Sequence, residues 1–254
     1  MKRLVIVAAG FALLTATAFA NHSWGNYHWA RTGNPFTITL VDSASTTAWD
    51  SALGGASSDW SASSVLDAAV TGGATDKRTR QRCAAVTGQV RVCNYTYGQN
   101  GWLGIAGIYL SGDHIIKGYV KLNDTYFNTS TYNTSPWRAL VACQEIGHTF
   151  GLDHQDEAFG APNLGTCMDY TNDPDGGGIY GPSNEHPNQH DYDQLESIYA
   201  HLDSTSTIVT AASALPGKAR PFSQASRAHG SVYVDHLSGG ATLVTHVLWT
   251  PSGE

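Results

Sequence analysis

The sequence predicts an α+β protein: strands dominate its first half, and two well-marked helices dominate the second. Three observations carry this. Residues 36–41, 90–97, 101–110 and 115–122 are short apolar runs rich in β-branched and aromatic side chains, as strands are. Residues 135–151 open on Ser135-Pro136 and end on Gly151, which are helix start and stop signals. Residues 188–202 place Leu195, Ile198, Tyr199 and Leu202 on one helical face.

Between these anchors the chain reads as follows. Residues 21–35 carry Trp24, Tyr27 and Trp29 without a clear period. The run 36–41 stops at Asp42-Ser43. Trp49, Leu53 and Trp60 suggest a helix over 46–61, capped by Ser45 or Thr46 and weakened by Gly54-Gly55. Residues 64–70 suggest a second strand, and 71–82 a polar loop. The run 115–122 alternates well; 101–110 is apolar and spaced by glycines. Residues 173–178 form an acidic, glycine-rich turn; its carboxylates are the only feature pointing to Ca2+, and weakly. From 204 the composition shifts to Ser, Thr, Ala and Gly. Two strand-like runs, 232–234 and 242–249, flank Leu237-Ser238-Gly239-Gly240, so 204–254 reads as a C-terminal β-hairpin-like extension and not as a full domain.

The first twenty residues form a secretory signal on physical grounds. Lys2 and Arg3 precede an apolar run over 4–14, and Ala18-Phe19-Ala20 offers a small-x-small cleavage site. The run is too short to span a bilayer comfortably. The expected organisation is a signal peptide at 1–20, one domain at 21–203 and the extension at 204–254. The chain is acidic, with a formal net charge of −7, and has no basic cluster, which excludes nucleic acid as a partner. A secreted monomer, with no membrane association after signal cleavage, is expected. Four cysteines in an exported chain imply disulfides, with three connectivities open. Cys83 and Cys93 flank a segment centred on Gly88 that reads as a hairpin.

The richest stretch runs from Gln144 to His154. On a helix, residues 144 and 148 share a face and can point at one ion. Glu145 lies beside them and can act as a general base. Gly151 permits a positive-φ turn that sends His154 back toward that face. A fourth position stays open, as catalytic zinc requires. Downstream lies Gly165-Thr166-Cys167-Met168-Asp169-Tyr170.

Together these segments resemble the metzincin metallopeptidases, most closely the matrixin branch through Gly147-His148-x-x-Gly151-Leu152-x-His154. Gln144 stands where the H-E-x-x-H-x-x-G-x-x-H motif has its first histidine. Cys167-Met168-Asp169-Tyr170 looks like the family's Met-turn. The resemblance implies a metzincin-like twisted mixed sheet with an active-site helix, a Met-turn and a C-terminal helix. It implies a zinc-dependent endopeptidase acting on a peptide or protein, with Glu145 assisting attack by a water held on the metal. Zn2+ would be held by Gln144, His148 and His154, and Tyr170 would stabilise the oxyanion. An exposed edge strand, 101–110 or 115–122, would pair with the substrate backbone. A Cys143–Cys167 bridge would tie the metal-bearing helix to the Met-turn; otherwise the two are free thiols or soft ligands. No cysteine-bearing inhibitory segment is visible between Asn21 and Phe36, so any latency works differently.

Three readings of Gln144 compete. Its amide oxygen replaces the missing nitrogen; or Tyr170 or Asp156 completes the site; or metal is lost and the domain is a metal-poor pseudo-protease that binds extracellular peptides or proteins. The conjunction of Glu145, both histidines, Gly151 and Met168 favours a working metal site. Asp153 and Asp156 read as surface or supporting groups. His114, His186, His190 and His201 lack ligand spacing and read as ordinary surface residues.

Overall fold

The structure is a computed structural model that describes residues 22–208 and 230–251. The expected signal segment, 1–20, lies outside the described residues, as does the 209–229 part of the expected extension.

The α+β architecture is observed. β1 (His28–Trp29) is followed by β2 (Phe36–Asp42), where Phe36, Ile38 and Leu40 point inward by the two-residue period of a strand. α1 (Thr47–Trp60) buries Trp49, Leu53, Ala56 and Trp60, spaced by three and four residues along one face. Gly54 and Gly55 fall on its exposed side, which is why they do not break it. β3 (Leu66–Gly72) follows. The segment expected as a polar loop instead contains α2 (Lys77–Arg82), because Asp76 accepts hydrogen bonds from the Arg78 and Thr79 amides and caps a short turn of helix.

β4 (Gln89–Tyr95), β5 (Trp102–Ser111) and β6 (His114–Asn123) complete the central sheet, and α3 (Asp124–Phe127) is a single turn after it. α4 (Ser135–His148) is capped by Thr134, one residue before the expected serine, and keeps Pro136 in its first turn. α5 (Gln189–Ile198) starts in a capping box made by Asn188 and Asp191. β7 (Val232–His236) and β8 (Thr242–Trp249) form the C-terminal hairpin.

Among the described residues the strand order is β3-β2-β4-β6-β5-β8-β7, with β1 pairing β6 off this path. β2 runs parallel to β3 and β4, and β4 parallel to β6; β5 is antiparallel to β6 and β8, and β7 to β8. The hairpin is thus continuous with the main sheet. An open edge strand was expected at 101–110 or 115–122. Neither segment has one: β5 lies between β6 and β8, which satisfies both of its edges.

α1 and α4 cover one face of the sheet and join through the Trp60 indole, which donates to the Cys143 carbonyl at 3.1 Å. The opposite face buries Trp102, Ile105, Tyr119, Leu243, Val247 and Trp249 around the Cys83–Cys93 disulfide. The second disulfide, Cys143–Cys167, links α4 to the loop carrying Met168. Among the described residues no helix is long and apolar enough to cross a membrane.

Candidate metal centre

The C-terminal half of α4 is fully buried from Leu140 to His148, and it carries Gln144, Glu145 and His148 into the interior. The helix can approach its neighbours closely because residue 147 has no side chain. A Cβ there would lie 2.7 Å from the Met168 Sδ and 2.6 Å from the Trp60 ring. Gly151 adopts φ +98° and turns the chain back, as its position predicted; a Cβ there would meet the Tyr27 carbonyl oxygen at 2.3 Å.

That turn brings His154 onto His148, with their Nε2 atoms 2.9 Å apart. The other ring nitrogens fix the tautomers. His148 Nδ1 faces the Leu152 carbonyl at 2.9 Å, and His154 Nδ1 faces a Glu157 carboxylate oxygen at 2.8 Å. Both partners can only accept, so each Nδ1 carries the proton. The two Nε2 atoms are then the nitrogens turned toward each other, placed so that both rings could hold one cation between them. An imidazole oriented by an acceptor on its far nitrogen is the usual state of a metal ligand. Burial also pushes the His148 pKa well below its ordinary value, with His154 adding to the effect, which keeps the ring neutral.

A third imidazole joins them. His246 on β8 lies between Trp24 and His148, with ring centroids 3.2 Å and 3.8 Å away, and its centroid is 5.1 Å from that of His154. His148, His154 and His246 each offer a nitrogen within 4.8 Å of the others. Neither nitrogen of His246 has a hydrogen-bond partner, and burial depresses its pKa strongly. The strand's register explains its place: Val244, His246 and Leu248 alternate onto the face covered by α4, while Leu243, Val247 and Trp249 face the other way. Sequence spacing did not single out His246. Its only signal was a histidine at an inward position of an otherwise apolar strand.

Gln144 is fully buried. Its Nε2 donates to the Cys167 carbonyl at 2.7 Å, and its Oε1 has no hydrogen-bond partner. The amide is therefore fixed by the loop before Met168 with its acceptor end free. Glu145 is also fully buried, and neither carboxylate oxygen makes a well-formed hydrogen bond. Burial raises its pKa well above the usual carboxylate range, and the Ala106 amide offsets this only in part. The carboxylate lies against β5 so tightly that a Cβ at Gly104 would sit within 3 Å of it. Buried polar atoms without partners are costly. Gln144, Glu145 and His246 supply five of them in one neighbourhood, which fits a centre built around a bound cation.

Tyr170 meets the His154 ring edge-on, with centroids 4.5 Å apart, and stacks on Phe159. Its hydroxyl donates a weak 3.4 Å bond to the Val247 carbonyl of β8, and burial raises its pKa well above the ordinary value. The Asp156 carboxylate accepts from the Ala158 amide at 2.6 Å. Asp153 caps the His154 amide at 2.9 Å. Sequence reading also passed over Glu157, which receives the Ser231 hydroxyl at 2.6 Å as well as His154 and so links the hairpin to the site.

No protein-family model and no curated protein matches the sequence. Among solved structures, the chain is similar to high choriolytic enzyme 1, a hatching-enzyme zinc-protease from Oryzias latipes (medaka fish). Identity is 12%, the TM-score is 0.38, and the match covers 70% of this chain and 96% of that one. It is similar also to myroilysin, at 12% identity and a TM-score of 0.36, over 68% of this chain and 96% of that one. Likenesses this weak carry no argument, and the functional reading rests on the residues.

Proposed function

We propose that the protein is an exported, metzincin-like zinc endopeptidase, held closed by its own C-terminal strand. One observation carries the metal reading: His148 Nε2 and His154 Nε2 face each other at 2.9 Å while both Nδ1 atoms are committed to acceptors. Imidazole pairs of this kind suit zinc, for which Zn–N is about 2.0–2.1 Å. His148 and His154 would hold the ion, with the free Gln144 Oε1 as a neutral third donor and His246 as an imidazole brought in by β8. Asp156, bonded to its own loop, is the weaker choice to complete the site. Zinc, when bound, supplies Lewis acidity toward a peptide carbonyl and toward water.

The chain's own groups then have separable roles. Glu145 is the general base: it takes a proton from water and returns it to the leaving amine. Burial raises its pKa well above the usual carboxylate range, which strengthens it as a base. Tyr170 directs its hydroxyl at a backbone carbonyl lying beside β5, the position a scissile carbonyl would take. The β5 edge now paired with β8 is where strand addition, the general way in which a sheet captures an extended peptide, would take place. β8 occupies that edge antiparallel, pairing His246 with Ala106 and Leu248 with Gly104. A substrate of extended peptide would have to replace it. The two disulfides fit export to an oxidising compartment.

The test uses the full chain. Metal analysis and cleavage of an unstructured peptide mixture are compared for the parent, His154→Ala and Glu145→Ala. The reading expects bound zinc in the parent and in Glu145→Ala, loss of that ion in His154→Ala, and cleavage abolished in both variants. Equal zinc contents in the parent and in folded His154→Ala would overturn it.

A further inference from the structure

A second histidine cluster lies outside the centre described above, and its residues come from three separate parts of the chain. His28 is on β1, His114 begins β6, and His201 and Asp203 follow α5. His28 and His114 are neighbours because β1 pairs with β6 in that register. Asp203 is held from behind: its Oδ2 accepts from the Arg31 amide at 3.1 Å and from the Arg31 guanidinium at 3.0 Å. Its Oδ1 is thereby turned toward the imidazoles. His28 Nε2 lies 3.4 Å from that oxygen, His114 Nε2 3.2 Å and His201 Nε2 3.8 Å. His28 Nε2 and His201 Nε2 are 3.2 Å apart.

These separations have a meaning. Four donors placed tetrahedrally at about 2.0–2.1 Å from zinc are about 3.3 Å from one another. The three separations among His28 Nε2, His201 Nε2 and Asp203 Oδ1, 3.2, 3.4 and 3.8 Å, lie around that edge. The orientation of His28 points the same way. Its Nδ1 faces the Asn26 carbonyl at 2.5 Å, which turns Nε2 toward the Asp203 carboxylate and the His201 ring nitrogen. His28, His201 and Asp203 already offer three donors all within 4.8 Å of one another, and His114 reaches the same carboxylate oxygen from the β5–β6 turn.

We propose that His28, His201 and Asp203 form a second site for a divalent transition cation of the zinc type, with His114 beside it on the shared carboxylate oxygen. Two imidazoles and one carboxylate are three donors of the kinds that zinc takes. The ion would staple the N-terminal strand to the segment leaving α5. The proposal does not depend on the peptidase reading, since none of its donors is shared with His148, His154 or His246.

The experiment strips the full-length protein with a chelator and titrates it with ZnCl2, counting equivalents by calorimetry and elemental analysis. His201→Ala and His154→Ala are compared with the parent. His201 is half-exposed and His114 more than a third exposed, so each can be replaced without opening the core. The expected result is two equivalents in the parent and one in each variant, with ZnCl2 raising the Tm of His154→Ala but not of a His154→Ala/His201→Ala double variant. One equivalent, kept in His201→Ala and lost in His154→Ala, overturns the second site and leaves the peptidase reading standing. One equivalent with the opposite pattern supports the second site and sinks the peptidase reading. A second measurement avoids variants: acylation of imidazoles by diethyl pyrocarbonate, with and without ZnCl2. Protection of His201 and His114 by the metal supports the site, and unchanged labelling of both overturns it.

Discussion

The two histidine clusters are assembled in opposite ways. In the first, His148 and His154 sit six residues apart, and a helix end with one glycine turn brings them together. The helix, the Met168 loop and β8 enclose them completely. In the second, the donors span residues 28 to 203, and only strand pairing and the exit from α5 join them. Half of that cluster faces solvent. A buried centre of the first kind depends on tight packing around it. A peripheral one of the second kind depends on the course of the chain, and adds to stability only when filled.

The sharpest way to break this contrast is at Gly147. Gly147→Ala puts a methyl where the Met168 sulfur and the Trp60 ring already lie, at 2.7 and 2.6 Å. Overpacking of this kind costs about 1–3 kcal/mol. Thermal unfolding should show that loss, and ZnCl2 titration should show weakened binding at the first cluster with the second untouched. Equal weakening at both clusters would mean that they are not independent. A smaller effect separates the roles of β8. In His246→Ala, zinc affinity at the first cluster should fall by at least about tenfold, roughly 1.4 kcal/mol. If β8 is a plug, peptide cleavage should rise in the same variant. If His246 is instead a permanent ligand, affinity and cleavage fall together, and assays of both on one preparation distinguish the cases.

The same contrast explains what the sequence disclosed. Gln144, Glu145, His148, Gly151 and His154 were legible because one helix and one turn convert sequence spacing directly into spatial spacing. The two long helices and the central strands were legible for the same local reason. His246 was not, since nothing near it in the chain says that β8 will pair with β5. His28, His114 and His201 were read as ordinary residues or passed over, because their proximity exists only after β1 pairs with β6 and α5 packs down. The six residues of α2 were missed because one cap, Asp76, outweighs a polar sequence with no apolar face.

The mildest perturbation sharpens the comparison within the first cluster itself. Tyr170→Phe removes one hydroxyl whose bond to the Val247 carbonyl is 3.4 Å long, while the ring keeps its packing on His154 and Phe159. Stability should change by less than about 0.5–1.5 kcal/mol, the net worth of an ordinary hydrogen bond. Zinc stoichiometry should not change at all. The rate of peptide cleavage should drop by about tenfold with KM preserved, because a donor aimed at a carbonyl beside β5 acts only as that oxygen gains charge. A fall in zinc content would instead make Tyr170 part of the metal shell, and an unchanged kcat would reduce it to a packing residue whose hydroxyl serves only to hold β8 in the groove.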